Sequence, residues 1–142
     1  MEDGKRLFTV EEANALMPKL ELIMGKLQRH ALVLREQVSE LSQLTGQQAD
    51  ELTTAQILEL RPQLSSVVEE LEALLGEIEA CGGELKGVDL GLVDFPAERE
   101  GEFILLCWQY GEKEIDYYHS FEAGFAGRKP LAPGQERPKA LQ

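Results

Sequence analysis

Four residues of the C-terminal half have side chains of the kind that bind divalent metal ions. Asp94 follows an alternating apolar segment, Glu112 stands in a predicted turn, and His119 closes a β-prone segment. Glu122 comes three residues after His119, so the two would share a face if they lay on one helical turn. A histidine with two or three carboxylates suits Zn²⁺, Mn²⁺ or Fe²⁺. The sequence therefore predicts a divalent-metal site formed by Asp94, Glu112, His119 and Glu122, although a dense ligand motif such as HExxH is absent.

Each of these residues also has a purely structural interpretation. Asp94 can form an Asx turn before Phe95-Pro96. His119 can hydrogen-bond a carbonyl or pair with a single acid, and Glu112 can be a solvated turn residue. Because an unpaired carboxylate or imidazole at the end of an apolar face is unfavourable, Asp94 and His119 should each have a partner. The metal and the structural interpretations both stay open at this stage, as does the question of enzymatic activity.

Other kinds of site have less support from the sequence. Cys107 and His119 fall on opposite faces of the predicted sheet, which disfavours a Cys–His nucleophile. Ser120 adjoins His119, and neighbours on a strand point apart. The segment 124–130 has two glycines and two cations but lacks the spacing of a P-loop. It is either a tight turn or a weak anion-binding site at Arg128.

The candidate ligands lie on or beside three β-prone segments. Residues 84–95 alternate between apolar and polar side chains, residues 103–108 are apolar, and residues 115–119 form the second arm of a hairpin. We place Gln109 opposite Glu114 across the intervening turn. In this register one apolar face of the sheet packs against the helices. The residues on that face are Ile104, Leu106, Trp108, Ile115, Tyr117 and His119. The three segments predict a small antiparallel β-meander.

The N-terminal half has the apolar spacing of two long helices. Thr9-Val10-Glu11-Glu12 reads as a capping box, after which apolar residues recur at alternating steps of three and four up to Leu41. Gly46 ends this pattern. The same spacing returns from Ile57 and stops at Gly82-Gly83, as glycine does at a helix C-terminus. The short loop between the two helices makes them antiparallel neighbours.

Two prolines interrupt the helical pattern. Pro18 is expected to kink the first helix, and Pro62 either kinks the return or marks its first turn. With these breaks, residues 8–82 predict a long antiparallel helical hairpin with a coiled-coil seam. The hairpin packs on the β-meander of residues 84–125, so the predicted fold class is α+β.

Length, charge and cysteine content restrict the class of protein. A chain of 142 residues matches one ordinary domain, which we assign to residues 1–131, and the polar, proline-rich residues 132–142 are expected to be disordered. The net charge of −12 argues against binding to nucleic acid or to an anionic membrane. Cys81 and Cys107 stand singly, and neither a secretory signal nor a membrane span is visible. These features favour a cytoplasmic protein with reduced thiols.

The apolar stripes on the predicted helices are wider than a single seam. Leu16, Ile23 and Leu44 flank the first stripe, and Val68 and Leu75 flank the second. Two helices alone cannot cover stripes of this width, and a short meander shelters only part of a long hairpin. We therefore expect a homodimer, or a partner protein bound by the hairpin. A non-enzymatic interaction module is the second functional class that the sequence supports.

The chain resembles a family of small prokaryotic proteins catalogued as domain of unknown function 2203. The motifs that carry the resemblance are Phe8-Thr-Val-Glu-Glu-Ala-Asn14, Asp89-Leu-Gly-Leu-Val-Asp94-Phe-Pro96, Leu106-Cys-Trp108, Gly111-Glu112, Tyr118-His119 and Gly124-Phe-Ala-Gly-Arg128. The resemblance covers most of residues 8–131 and implies no established activity. It implies that Asp94, Trp108, Glu112, His119 and Arg128 occupy the family's characteristic positions. Any shared function would then lie in the β half.

Overall fold

The chain folds into four α-helices and a five-stranded antiparallel sheet in the computed structural model, which describes residues 6–131. The helices are Val10–Asn14 (α1), Met17–Thr45 (α2), Thr54–Leu60 (α3) and Ser65–Ala80 (α4). The strands are Glu84–Gly87 (β1), Leu92–Arg99 (β2), Glu102–Gln109 (β3), Tyr117–His119 (β4) and Lys129–Pro130 (β5). Each strand pairs with the next one along the chain. The α+β fold class predicted from the sequence is confirmed, whereas the predicted tail, 132–142, lies outside the described residues.

The start of α1, the end of α2 and the start of α3 lie where the sequence places their caps. The Thr9 hydroxyl accepts a hydrogen bond from Glu12 N–H, and the Glu12 carboxylate accepts one from Thr9 N–H, both at 3.0 Å. Thr53 and Gln56 form the same capping box at the start of α3. Gly46 ends α2 with φ of 77°, a left-handed conformation that favours glycine. Among residues 6–131, no helix is both long enough and apolar enough to cross a membrane.

Both prolines break the helical pattern more sharply than a kink would. The first predicted helix stops at Asn14 and restarts at Met17, which places Pro18 in the first turn of the 29-residue α2. In the second, Arg61 leaves the helical region (φ −136°, ψ 75°), and the return is divided into α3 and α4. At Pro62 the cause is the proline ring, which disfavours helical geometry at the preceding Arg61. Pro18 instead lacks the N–H that would bond the carbonyl of Asn14, so it is accommodated in the first turn of a new helix. Of the two outcomes expected at Pro62, a kink or a first turn, the structure has the second: Pro62 begins the 3₁₀ turn Pro62–Leu64, which leads into α4, and α3 is a separate helix before it.

One face of the sheet packs against the helices and forms the main core. The side chains that join this core alternate along the strands, as residues on one face of a sheet do. From β2 and β3 they are Val93, Phe95, Ala97, Ile104, Leu106 and Trp108, and from the helices Ala13, Met17, Leu20, Ile23, Met24, Leu27, Leu74 and Ile78. Phe8 joins this core, with its ring edge-on to Phe95 at a centroid distance of 5.0 Å. The other face of β2 and β3 is therefore available to a different set of side chains.

The predicted register between the last two long segments is wrong by one residue. Leu106 lies opposite Tyr118 and Cys107 opposite Tyr117, whereas the sequence interpretation paired Gln109 with Glu114. The connection from β3 to β4 is longer than a tight turn, because Ile115 turns into the core and its N–H donates to Asn14 Oδ1 at 2.7 Å. A shift of one residue reverses every side chain on a strand. His119 therefore points away from the helices.

Candidate metal centre

Three adjacent strands each place one potential metal ligand on the sheet face that the helices do not cover. Asp94 of β2 lies directly opposite Cys107 of β3, and His119 of β4 lies opposite Leu105, two residues before Cys107 on β3. Directly opposed residues share a face, as do residues two apart. One ligand atom from each of Asp94, Cys107 and His119 lies within 4.8 Å of the other two, and the three residues are 2%, 1% and 3% exposed.

Hydrogen bonds fix the orientation of the imidazole in this cluster. His119 Nδ1 lies 2.8 Å from the carbonyl oxygen of Ser120, and Nε2 lies 3.0 Å from Asp94 Oδ2. Because a carbonyl oxygen can only accept, Nδ1 carries a proton and donates it to Ser120. The Nε2 atom therefore faces Asp94 and the centre of the cluster.

The second carboxylate oxygen of Asp94 is buried without a hydrogen-bond partner. Buried polar atoms are paired in the great majority of proteins, so an exception calls for an explanation such as an ion or a ligand. The oxygen belongs to the same cluster as a thiol and an imidazole, both of which are metal ligands. The Asp94 carboxylate thus has unused capacity at the point where two other donor atoms converge.

Burial makes the charged forms of the cluster unfavourable. It raises the pKa of Asp94 above its ordinary range, and the charge of nearby His119 opposes this rise only in part. Burial also raises the pKa of the Cys107 thiol to about 12, with the Asp94 carboxylate adding to the increase. A thiol with this pKa is not a ready nucleophile at neutral pH. A bound divalent cation reverses this preference, since it favours the deprotonated forms of its ligands.

A cavity of about 300 Å³ opens beside the three side chains. Its remaining walls come from the sheet and from the segment that follows β4. They are Lys86, Leu92, Leu105, Phe121, Gly124 and Phe125. The sheet face opposite the helices is thus covered by residues 120–128, and the cluster lies between that segment and the sheet.

Glu112 lies in a separate polar network at the end of β3. Its Oε1 accepts hydrogen bonds from Gln109 N–H at 2.9 Å and from the Arg128 guanidinium at 3.0 Å, and its main-chain carbonyl accepts from the Trp108 indole at 2.9 Å. Arg128 also donates to the carbonyl of Cys107 at 3.2 Å. These contacts tie the connection after β3 to the segment before β5.

Of the four sequence-predicted ligands, Asp94 and His119 come together, and Glu112 and Glu122 do not join them. The Glu112 carboxylate is already engaged by Arg128, and Glu122 is exposed in a turn where the helical H-x-x-E geometry was expected. Neither residue belongs to the cluster of potential ligand atoms found within residues 6–131. Arg128, the predicted anion site, has its guanidinium 4.1 Å from the centroid of the Tyr117 ring and 4.9 Å from that of Phe125.

Cys107 is the member of the cluster that was absent from the predicted ligand set, and its pairing with His119 was disfavoured. This interpretation followed from the wrong register, which placed Cys107 and His119 on opposite faces. A signal was nevertheless present in the sequence. Trp108 and Phe95 are the large side chains that a core requires, so their neighbours Cys107 and Asp94 had to share the opposite face.

The comparisons with known proteins identify a family. A model of the family described as "Uncharacterized conserved protein (DUF2203)" matches residues 6–131. The chain belongs to this family. Searches of curated proteins and of solved structures found no match.

The DUF2203 match includes the whole of the cluster and the polar network at the end of β3. The positions that the family resemblance singled out fall into two neighbouring groups of this DUF2203 chain. Asp94 and His119 form the buried pair, and Trp108, Glu112 and Arg128 form the network at the end of β3. The backbone of Cys107 accepts from Arg128 while its side chain lies in the cluster, so this residue joins the two groups.

Proposed function

We propose that Asp94, Cys107 and His119 hold one divalent metal ion. The observation that carries this proposal is the convergence of three donor atoms, one from each of three strands, on a buried space where Asp94 Oδ1 has no partner. Ligands of a tetrahedral zinc ion lie about 2.0 to 2.3 Å from the metal, so atoms already within 4.8 Å of one another need only small side-chain adjustments.

Zinc is the ion that this donor set fits best. Thiolate, imidazole and carboxylate are all ligands of structural and catalytic zinc, whereas manganese favours oxygen donors. Iron(II) is the nearest competitor because it also accepts sulfur and nitrogen. A thiolate ligand needs a reducing compartment, in agreement with the cytoplasmic location inferred from the sequence.

Ser120 supports this role by holding His119 in the required tautomer. Metal-bound histidines usually donate their other ring N–H to a carbonyl or carboxylate, which fixes the ring and raises the basicity of the ligand nitrogen. The 2.8 Å contact of Nδ1 with the Ser120 carbonyl supplies this interaction and leaves Nε2 for the metal. In this proposal the helices are a scaffold for the sheet.

A tetrahedral ion held by three protein ligands would have a fourth position for a ligand from outside the chain. An open position distinguishes catalytic zinc sites from structural ones, which are closed by four protein ligands. Water bound to such a zinc ion has a pKa of about 7 and can act as a nucleophile at neutral pH. Hydrolysis is therefore the class of reaction that the site would support.

Cobalt(II) substitution tests the ligand set directly. Thiolate-bound cobalt gives a charge-transfer band in the near ultraviolet, which we expect in the wild-type protein and in Cys81→Ser, and not in Cys107→Ser. Cys81 is the matched control because it is the other cysteine and lies outside the cluster. Absence of the band in the folded wild-type protein, or its persistence in Cys107→Ser, would refute this set of ligands.

A second proposal concerns assembly and rests on an apolar groove between α2 and α4. The groove has a volume of about 520 Å³, and its apolar walls are Leu27, Ala31, Leu34, Val38, Leu71, Leu75 and Val88. Leu75 is 39% exposed there. We propose that a second copy of the chain covers this groove, so that the helical hairpin predicted for residues 8–82 pairs as a four-helix arrangement.

The oligomeric state tests the second proposal. We expect light scattering to give twice the chain mass for the wild-type protein, and a lower mass for Leu75→Glu, because a buried charge opposes association. Leu22→Glu is the control, since Leu22 is 70% exposed and does not line the groove. A monomeric wild-type protein at micromolar concentration would contradict pairing through this surface.

A further inference from the structure

We infer that the cavity beside Asp94, Cys107 and His119 binds a small carboxylate with an apolar body, whose carboxylate fills the open position on the metal. The inference rests on the proposed metal site and adds the chemical class of the ligand. Its basis is the distribution of charge and apolar surface around the cavity.

The metal-loaded cavity would not repel an anion. A divalent ion, an Asp94 carboxylate and a Cys107 thiolate together have no net charge, and His119 is a neutral ligand. Lys86 is the remaining charged side chain among the cavity walls, and its positive charge acts on Asp94. A carboxylate that enters would therefore meet both an electrophilic metal and an ammonium group.

Lys86 has donors to spare for such a ligand. Its ammonium group lies 3.2 Å from Glu84 Oε1, and its side chain is 44% exposed. An ammonium group has three N–H donors, so the contact with Glu84 leaves others for an incoming carboxylate. The flexible stem of a half-exposed lysine allows the group to turn toward the cavity.

The remaining walls select an apolar body of limited size. Leu92, Leu105, Phe121 and Phe125 line the cavity, and Gly124 adds no side chain. Phe121 is 65% exposed, and its ring centroid lies 6.2 Å from that of Phe103, so an aromatic edge is presented at the surface beside the site. A volume of about 300 Å³ is at the lower end of the range for ligand pockets, which indicates a small molecule.

Titration of the cobalt(II)-loaded protein with simple carboxylates tests the inference. Benzoate serves as the probe with an apolar body, acetate as the probe without one, and benzyl alcohol as the uncharged aromatic probe. We expect benzoate to change the visible cobalt spectrum saturably and at a concentration at least roughly tenfold below that needed with acetate, because only benzoate contacts the phenylalanine rings. Benzyl alcohol should leave the spectrum unchanged over the same range.

Variants then test separately the contact of the ligand carboxylate with Lys86 and the contact of its apolar body with Phe121. Lys86→Met should weaken benzoate binding roughly threefold, as expected for a half-exposed ion pair, and Lys113→Met, whose lysine is not a wall of the cavity, should not. Phe121→Ala should weaken the binding of benzoate and leave that of acetate unchanged.

The outcomes separate this inference from the metal proposal. If the protein binds cobalt and neither anion alters its spectrum, or if acetate and benzoate bind equally, the inference is overturned and the metal site stands. If the folded protein binds no cobalt, both are overturned.

Discussion

Asp94 lowers the stability of the metal-free fold at neutral pH. It is 2% exposed, one of its oxygens has no partner, and burial raises the pKa of its carboxyl group. The folded protein therefore binds a proton at Asp94 more tightly than the unfolded chain does. For a group of this kind, the contribution to stability is present below the ordinary carboxyl pKa and is lost as the pH rises through the folded-state value.

Asp94→Asn is predicted to stabilise the metal-free protein at pH 7 by on the order of 1 kcal/mol, because an amide removes the buried charge and its NH₂ group can donate to His119 Nε2. The advantage should shrink as the pH falls toward the ordinary carboxyl range, where wild-type Asp94 becomes protonated. Urea denaturation at several pH values measures both effects. Asp50→Asn, at an exposed position, is the control. A variant less stable than the wild type at pH 7 would contradict this assignment of the burial cost to Asp94.

The sequence allowed two of the three clustered residues to be recognised. Asp94 and His119 stand out because each is a polar residue at the edge of an apolar segment, where it needs a partner. Cys107 does not stand out, since a cysteine inside an apolar strand is ordinary. Its role depended on the parity of β4 relative to β3, which no local pattern fixes.

At the scale of elements, the connection between β3 and β4 decides which side chains reach the cluster. Gln109 N–H, the Trp108 indole and the Arg128 guanidinium all bind Glu112, and Ile115 is buried. These contacts make the connection longer than the tight turn that the sequence suggested. The extra length is what brings His119 to the same face as Asp94.

Glu112→Ala is predicted to lower the free energy of unfolding by about 1 to 2 kcal/mol and to leave one metal ion bound per chain. The loss follows from the ion pair with Arg128 and the hydrogen bond from Gln109 N–H, both only partly exposed to solvent. Chemical denaturation and metal analysis of the same sample measure the two quantities. Glu122→Ala should change neither. Loss of the metal in a folded Glu112→Ala protein would restore Glu112 as a ligand.

The glycine that ends α4 is held by packing as well as by backbone geometry. Gly82 has φ of 93°, and a Cβ atom there would lie 2.6 Å from Phe8 Cζ. Gly46, at the end of α2, has φ of 77° and would place a Cβ in open space. An alanine at position 46 would suffer backbone strain alone, whereas an alanine at position 82 would also clash with Phe8.

Gly46→Ala is predicted to lower the free energy of unfolding by roughly 1 to 2 kcal/mol, the penalty for a left-handed alanine. Gly82→Ala should lower it by at least about 1 kcal/mol more, because the Phe8 ring must also move within the core. Equilibrium unfolding in urea compares the two. Equal decreases in the free energy of unfolding would contradict the prediction, since they would mean that the Phe8 ring moves aside without loss of stability.

At the scale of the whole molecule, the two faces of the sheet carry different sets of side chains. The helices and Phe8 cover one face and supply the apolar core, whereas the cluster and its cavity lie on the other face, under residues 120–128. The α+β class followed from the change in apolar spacing between the two halves of the chain, and the capping boxes followed from local sequence. The assignment of side chains to the two faces of the sheet could not be predicted in the same way, because it depends on the long-range pairing of the strands.

Metal binding should couple to the stability of the whole chain, since the three ligands come from three strands. An ion bound only by the folded protein adds roughly 2.7 kcal/mol of stability at a free concentration one hundred times its dissociation constant. The bound ion would link β2, β3 and β4 on the sheet face that the helices do not cover, and the free energy of unfolding would rise accordingly.

The most direct measurement is the metal content of protein purified without a chelator and without a histidine tag, together with its melting temperature. The prediction is about one zinc ion per chain in the wild type and in Cys81→Ser, loss of the ion in Cys107→Ser and in His119→Ala, and a higher melting temperature with zinc than after its removal. Folded wild-type protein with no stoichiometric metal, and with melting unchanged on addition of zinc, would contradict the proposed metal centre.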